Sequence, residues 1–176
     1  MEDRSELSAI VAYSAELSFG LPPVVSPSSK VLILGSHPGR ESLQCRQYYA
    51  SPQNDFWHIV GIIFGFSPHE SYEYRINALT ANGLAIWDVL HKCVRPGSLD
   101  IDILSGEPND IAAFLSKHEH IRGICFNGRK AQNEFERYIP NCRLPCTLLT
   151  SSSGMNTHYS LWRKAEMWRE ELSLLM

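Results

Sequence analysis

The sequence predicts an α/β fold in which a mainly parallel, four-stranded sheet is covered by helices on both faces. Four short, mainly apolar runs lie between turn residues, as is typical of strands buried on both faces. They cover residues 31–34, 84–89, 121–126 and 144–150. Helix-like segments separate them, and strands that alternate with helices form parallel sheets through crossover connections.

Capping residues and apolar stripes mark the helices between these strands. Asn54 or Asp55 can cap a helix whose apolar stripe consists of Phe56, Trp57, Val60, Ile63 and Phe64. Asn82-Gly83 is a typical helix end. Further helices are expected at residues 8–17, 71–82, 109–117, 129–139 and 161–175. A long connection that contains residues 95–98 is expected after the second strand.

Length and composition favour one globular domain spanning residues 1–176. The hydrophobic fraction is 44% and the charged fraction 20%, both ordinary for globular proteins. Without a membrane-length apolar run or a signal-like N-terminus, we expect an intracellular, cytoplasmic, monomeric protein. A net charge of −3 disfavours general nucleic-acid binding, although a local basic patch needs only a few cations.

The five cysteines are scattered along the chain and odd in number. This pattern predicts reduced thiols and not a disulfide framework. Cys142 and Cys146 have a metal-like spacing, but no second pair lies nearby, so no metal site is expected.

Residues 30–57, KVLILGSHPGRESLQCRQYYASPQNDFW, hold the strongest functional signal. A buried strand ends in the loop GSHPG, two tyrosines follow, and an amide residue stands at the start of a helix. Ligands bind at the carboxyl ends of strands in open α/β sheets. The segment therefore predicts a pocket for a flat, polar ligand.

This segment resembles the first motif of the uracil-DNA glycosylase superfamily, G-x-x-P-G followed by an aromatic residue and P-x-N-x-F-W. The Tyr48-Tyr49 pair, and the absence of Asn or Asp within the first loop, are most similar to the hypoxanthine-DNA glycosylase branch. The resemblance implies a three-layer α/β/α sandwich with the site across the strand ends. It also implies a cofactor-independent enzyme that flips a deaminated base out of DNA and cleaves its glycosidic bond by water attack.

The resemblance assigns catalytic roles to residues of this segment. It places Tyr49 where an aromatic ring stacks on the flipped base, and stacking contributes about 1–3 kcal/mol. Asn54 is the expected group that positions the attacking water, because an amide orients water without deprotonating it. His37 fills the loop position that holds Asn or Asp in most of the superfamily and is the alternative, since a neutral imidazole can also hold a water.

Four residues at the ends of strands are expected to contact the base. Gly35 and Ser36 would offer backbone N–H groups and a hydroxyl to a base carbonyl. Asp88 stands where classical uracil glycosylases keep a base-reading Asn, and a carboxylate would accept from the ring N1–H of hypoxanthine. Asn127, at the end of the third strand, is a further candidate.

The second motif of the superfamily is a loop that enters the DNA minor groove. A Ser-rich segment near the C-terminus is similar to it and is expected to bind DNA through Ser151, Ser152, Ser153, Gly154, Met155 and Asn156. Small residues let the backbone approach phosphates, and Met155 is an apolar wedge of the kind that intercalates.

The sequence therefore predicts a DNA repair glycosylase for a deaminated base, hypoxanthine first, acting on double- or single-stranded DNA. Two alternatives stay open. One is a uracil- or mismatch-specific glycosylase on the same scaffold. The other is a non-catalytic nucleotide-binding α/β domain, which the missing loop Asn or Asp and the net charge would favour.

Overall fold

The computed structural model describes residues 17–94 and 105–176, which form six helices and seven strands. The helices are α1 Arg40–Cys45, α2 Phe56–Phe64, α3 Tyr72–Ala81, α4 Ile111–Lys117, α5 Arg129–Tyr138 and α6 Leu161–Ser173. The strands are β1 Leu17–Phe19, β2 Val31–Gly35, β3 Leu84–Asp88, β4 Leu90–Val94, β5 Ser105–Pro108, β6 Gly123–Asn127 and β7 Cys146–Leu149. Within these ranges, no helix combines the length and apolar character needed to cross a membrane.

A four-stranded parallel sheet in the order β3-β2-β6-β7 forms the middle layer. All five residues of β2 are buried, because helices cover both faces of the sheet. Val31 and Ile33 pack in a cluster with α2, α3 and α6, whereas Leu32 and Leu34 pack in a second cluster with α4 and α5. The predicted three-layer α/β/α sandwich is confirmed.

A second, antiparallel sheet in the order β1-β4-β5 was not predicted. A long connection without strands of its own was assigned after the second strand, but residues 90–94 and 105–108 in that part of the chain are strands. β1 has only three residues and β5 is mostly exposed, so neither shows a local strand pattern. Residues 95–98 lie outside the described ranges, as does the predicted helix at 8–17 except for Leu17, which belongs to β1. The short helix α1 was not predicted either.

The parallel sheet brings four strand ends to one edge. Gly35 at the end of β2 lies directly beside Asp88 at the end of β3. Asn127 ends β6 and pairs with Leu149 of β7, which leads into the Ser-rich segment. Residues more than a hundred positions apart in sequence therefore meet at this edge.

Candidate active site

A cleft of about 730 Å³ opens at this edge of the sheet, within the roughly 300–1,000 Å³ range that is typical of ligand sites. Every residue that the sequence nominated for the site lines it: Gly35, Ser36, His37, Tyr49, Asn54, Asp88, Asn127 and Ser151, Ser152, Ser153, Gly154, Met155 and Asn156. The fold thus gathers both motifs around one space. Lining the cleft does not by itself assign a role to a side chain.

The Asp88 carboxylate lies directly over Gly35 at the inner end of the cleft. A Cβ atom added to Gly35 would overlap Asp88 Oδ1 and would lie 3.3 Å from the Tyr49 hydroxyl. Glycine is therefore required here for close approach of two polar groups to the backbone. Asp88 is only 3% exposed, so the cleft has a buried carboxylate beside the end of β2.

The two adjacent tyrosines have different roles in the structure. Tyr48 is 3% exposed, and its hydroxyl donates to Leu21 O at 3.1 Å. Burial, followed by the nearby charge of Asp88, raises the pKa of Tyr48 far above its ordinary value, so this hydroxyl stays protonated. Tyr48 is a core residue.

Tyr49 lies at the cleft with its ring stacked on Phe56. The ring centroids are 3.8 Å apart and the planes are 11° from parallel, so a base could stack only on the opposite face of Tyr49. Its backbone has a φ of 54°, an unusual conformation for a residue other than glycine that costs on the order of 1–3 kcal/mol. The adjacent bond from Ala50 N–H to Ser42 Oγ, 3.1 Å, helps to hold this turn.

Asn54 stands just before α2 with its amide oxygen fully engaged. Oδ1 accepts from Phe56 N–H at 3.0 Å and from Ser152 Oγ–H at 2.8 Å. Asp55 occupies the cap position of α2 without a side-chain cap bond, so Asn54 provides the bond that was expected from either residue. Asn54 lines the cleft, and its Nδ2 makes no hydrogen bond to the residues that the structure describes.

His37 is held by protein groups on both of its ring nitrogens. Nδ1 donates to Leu90 O at 3.2 Å, which assigns the proton of the neutral ring to Nδ1. Nε2 then accepts from Ser18 Oγ–H at 2.9 Å. Because both ring nitrogens of His37 contact protein groups, we favour Asn54 over His37 as the water-holding group, and that choice stays a prediction. His37 instead ties the loop after β2 to β1 and β4.

The Ser-rich segment divides into a buried part and an exposed part. Ser152 is fully buried and exchanges two hydrogen bonds with the Asn127 amide, at 2.8 and 2.9 Å. The hydroxyl and the backbone N–H of Ser152 are thus engaged within the protein, and the Asn127 amide serves to hold this segment. Met155 is 70% exposed at the lip of the cleft, where a wedge would have to lie.

Lys164 supports the site and was not identified by the sequence analysis. Its ammonium lies 2.7 Å from Asp55 Oδ2, and its side chain is only 3% exposed. The signal was present in α6: Ala165, Trp168 and Leu172 form the buried stripe at helical spacing, and Lys164 lies beside it. This ion pair joins α6 to the residue next to Asn54.

Thiols and metal ligands do not form a second site in the part of the chain that the structure describes. None of the five cysteines is in a disulfide bond, and burial raises the pKa of the Cys125 thiol to about 12. No group of three or more His, Cys, Asp or Glu side chains that could hold a metal is found in residues 17–94 and 105–176.

Comparison with known proteins agrees with this geometry. Residues 22–171 match the uracil DNA glycosylase superfamily. The hypoxanthine DNA glycosylase of Methanosarcina acetivorans is 38% identical over 148 residues, covering 84% of this chain and 93% of the relative. The enzyme of the same name from Methanosarcina barkeri is 35% identical over 152 residues, covering 86% and 95%.

A more distant relative and a solved structure point the same way. The G/U mismatch-specific uracil DNA glycosylase of Schizosaccharomyces pombe is 26% identical over 170 residues, covering 85% of this chain and 51% of the relative. The solution NMR structure of a candidate uracil DNA glycosylase from M. acetivorans has a TM-score of 0.74 and 35% identity, covering 88% of this chain and 98% of that chain. The chain belongs to the uracil DNA glycosylase superfamily.

Proposed function

We propose that the protein is a monofunctional DNA glycosylase that hydrolyses the glycosidic bond of hypoxanthine in DNA. The observation that carries the choice of a deaminated base over adenine is the Asp88 carboxylate, which is buried beside Gly35. The two Methanosarcina relatives named hypoxanthine DNA glycosylases support it.

The chemistry of the base edge explains why a carboxylate suits hypoxanthine. Adenine carries a lone pair at N1, whereas its deamination product carries an N1–H donor. Asp88 can only accept while ionised, so it would bind hypoxanthine and oppose adenine. A mismatched buried polar pair costs roughly 1–3 kcal/mol, which is a discrimination of about 10- to 10²-fold.

The remaining cleft residues would divide the work of the reaction. Tyr49 offers one ring face to the extruded base, because the bond to be cut is shielded while the base remains in the duplex. Asn54, which also lines the cleft, would position the attacking water. Loss of one such positioned group lowers rates by about 10²-fold or more.

The proposal is tested with oligonucleotides that carry hypoxanthine, uracil, xanthine or a G/T mismatch, scored for abasic sites. Hypoxanthine is expected to be released fastest, with an adenine duplex and Asn54→Ala protein as controls. Asn54→Ala should cut at least about 10²-fold more slowly in single turnovers while binding DNA normally.

A uracil- or mismatch-specific enzyme is the second candidate. It is favoured by the S. pombe relative and by the N3–H of uracil, which offers Asp88 the same kind of donor. Uracil released as fast as hypoxanthine, or faster, would select this alternative. Release of no base would favour a non-catalytic nucleotide-binding domain.

A further inference from the structure

Ser152 links the two motifs of the cleft through a chain of hydrogen bonds. Its backbone N–H donates to Asn127 Oδ1 at 2.9 Å, and its Oγ accepts from Asn127 Nδ2 at 2.8 Å. Its Oγ is also 2.8 Å from Asn54 Oδ1, and its carbonyl accepts from Asp55 N–H at 2.8 Å. A fully buried serine is thus the junction of three neighbours.

The direction of every bond in this chain can be assigned. The Ser152 backbone N–H can only donate, so the Asn127 atom that it contacts is the oxygen, and the Asn127 nitrogen donates to Ser152 Oγ. The single hydroxyl proton of Ser152 must then go to Asn54. Phe56 N–H also donates to Asn54 Oδ1. Two donors at this atom identify it as the amide oxygen and not the amide nitrogen.

Both acceptor positions of Asn54 Oδ1 are therefore occupied by protein donors. What remains to Asn54 is Nδ2, and no protein group in the described ranges accepts from it. Since Asn54 lines the cleft, the group that it offers to a ligand there is an N–H donor.

We propose that Ser152 is a positioning residue that turns Asn54 into an obligatory hydrogen-bond donor in the reaction. Asn54 Nδ2–H then donates a hydrogen bond to a lone pair of the attacking water, and Asn54 accepts no hydrogen bond or proton from that water. This inference rests on the proposed role of Asn54 and goes further by assigning the direction of its hydrogen bond and the residue that sets it.

Backbone packing holds the loop of Ser152 in a fixed position relative to Asn54. A Cβ on Gly154 would overlap the carbonyl oxygen of Gln53, so the loops before α2 and after β7 are in direct contact. The ion pair of Lys164 with Asp55 ties α6 to the same place. The amide of Asn54 thus has little freedom to rotate while Ser152 donates to it.

The direction of the bond is tested with Asn54→Asp. This variant keeps an oxygen for Ser152 and Phe56 but replaces the Nδ2 donor with an acceptor. If Asn54 donates, N54D should be as slow as Asn54→Ala near neutral pH, at least about 10²-fold below the parent. Its rate should rise as the pH falls towards about 4, because a protonated carboxyl donates again; enzyme-free incubations correct for acid depurination.

The opposite pH profile would overturn the donor assignment. An N54D rate that stays within about tenfold of the parent and rises with pH would mean that this position accepts a proton. If the parent releases no base, the proposed function fails instead. If the parent is active and Asn54→Ala is equally active, the function stands and the inference falls.

The role of Ser152 is tested with Ser152→Ala, using Ser116→Ala on α4 as the matched control because its exposed hydroxyl bonds only within its own helix. S152A should lower the single-turnover rate about tenfold, without changing affinity for a duplex carrying a non-cleavable base analogue. On the Asn54→Ala background it should have no further effect, because residues that act as a unit are not additive.

Two results would refute positioning by Ser152. An equal loss of affinity and rate would make Ser152 part of the DNA contact. A further tenfold loss on the Asn54→Ala background would show that Ser152 acts independently of Asn54. Thermal melting of each variant separates these outcomes from loss of folding.

Discussion

The ion pair between Lys164 and Asp55 should respond very unequally to removal of its two partners. The Lys164 side chain is 3% exposed, whereas that of Asp55 is 31% exposed, and the charged atoms are 2.7 Å apart. Asp55→Asn leaves an ammonium buried with at best a neutral acceptor. Lys164→Met removes the buried charge and leaves a carboxylate that water can reach.

The expected magnitudes follow from these exposures. Breaking a buried pair by removing the countercharge costs about 3–5 kcal/mol; since an Asn oxygen can still accept from Lys164, we expect about 3 kcal/mol for Asp55→Asn. Lys164→Met should cost about 1 kcal/mol, because the Asp55 charge stays hydrated and also lies at the start of α2, where the helix dipole favours a negative charge. A difference of about 2 kcal/mol corresponds to roughly 4–8 °C in melting temperature.

Urea denaturation of the two variants and the parent measures this difference directly, with Arg163→Met as a control. Arg163 forms an exposed pair with Glu166 at 3.1 Å on the same helix, and exposed pairs contribute little. Equal destabilisation by Asp55→Asn and Lys164→Met, or a larger effect of Lys164→Met, would refute the reasoning from burial.

Three further predictions concern the cleft. Met155→Ala should lower cleavage of duplex DNA, most where the lesion is well paired, and should leave cleavage of a single-stranded substrate unchanged. The reason is that the exposed Met155 side chain can fill the gap left by the flipped base only in a stacked duplex. The fluorescence of 2-aminopurine beside the lesion measures extrusion of the base. Gly35→Ala should lower the rate of hypoxanthine release about 10- to 10²-fold, since the added methyl group displaces the Asp88 carboxylate and overpacking costs about 1–3 kcal/mol. Single-turnover rates measure the loss of activity, and melting curves measure the loss of stability. Asp88→Asn should reduce the preference for hypoxanthine over adenine by about tenfold, because an amide can donate as well as accept; competition between the two substrates measures this ratio.

Each of these predictions has a contrary outcome. Equal losses by Met155→Ala on single and double strands would mean that Met155 shapes the pocket. Full activity of Gly35→Ala would show that the carboxylate position is unimportant. An unchanged preference in Asp88→Asn would move base reading to another residue.

The strands and the cleft edge could be predicted because their signals are local. A run such as residues 31–34 is apolar throughout, since both faces of β2 are buried, and the glycine loop after it marks the strand end. The small β1-β4-β5 sheet could not be predicted in this way. Its edge strand β5 is mostly exposed and exists through pairing with β4, which depends on residues that are distant in sequence.

The chemistry of individual side chains was decided by the tertiary structure. Tyr48 and Tyr49 are identical in type and adjacent in sequence, yet one is core and the other lines the cleft. His37 has the chemistry to hold a water, but Ser18 and Leu90 occupy its nitrogens. A residue's type states which bonds it can make, and the fold determines which are already made.

The three consecutive serines at 151–153 show the same division most clearly. By itself, the sequence determined that a small-residue loop follows the last strand and that an amide stands before α2, because residue type and local order suffice for both. Nothing local distinguishes Ser152 from its neighbours. Its bond to Asn54 joins positions 98 residues apart, and that contact exists because the parallel strands β2, β6 and β7 bring their carboxyl ends to one edge of the sheet.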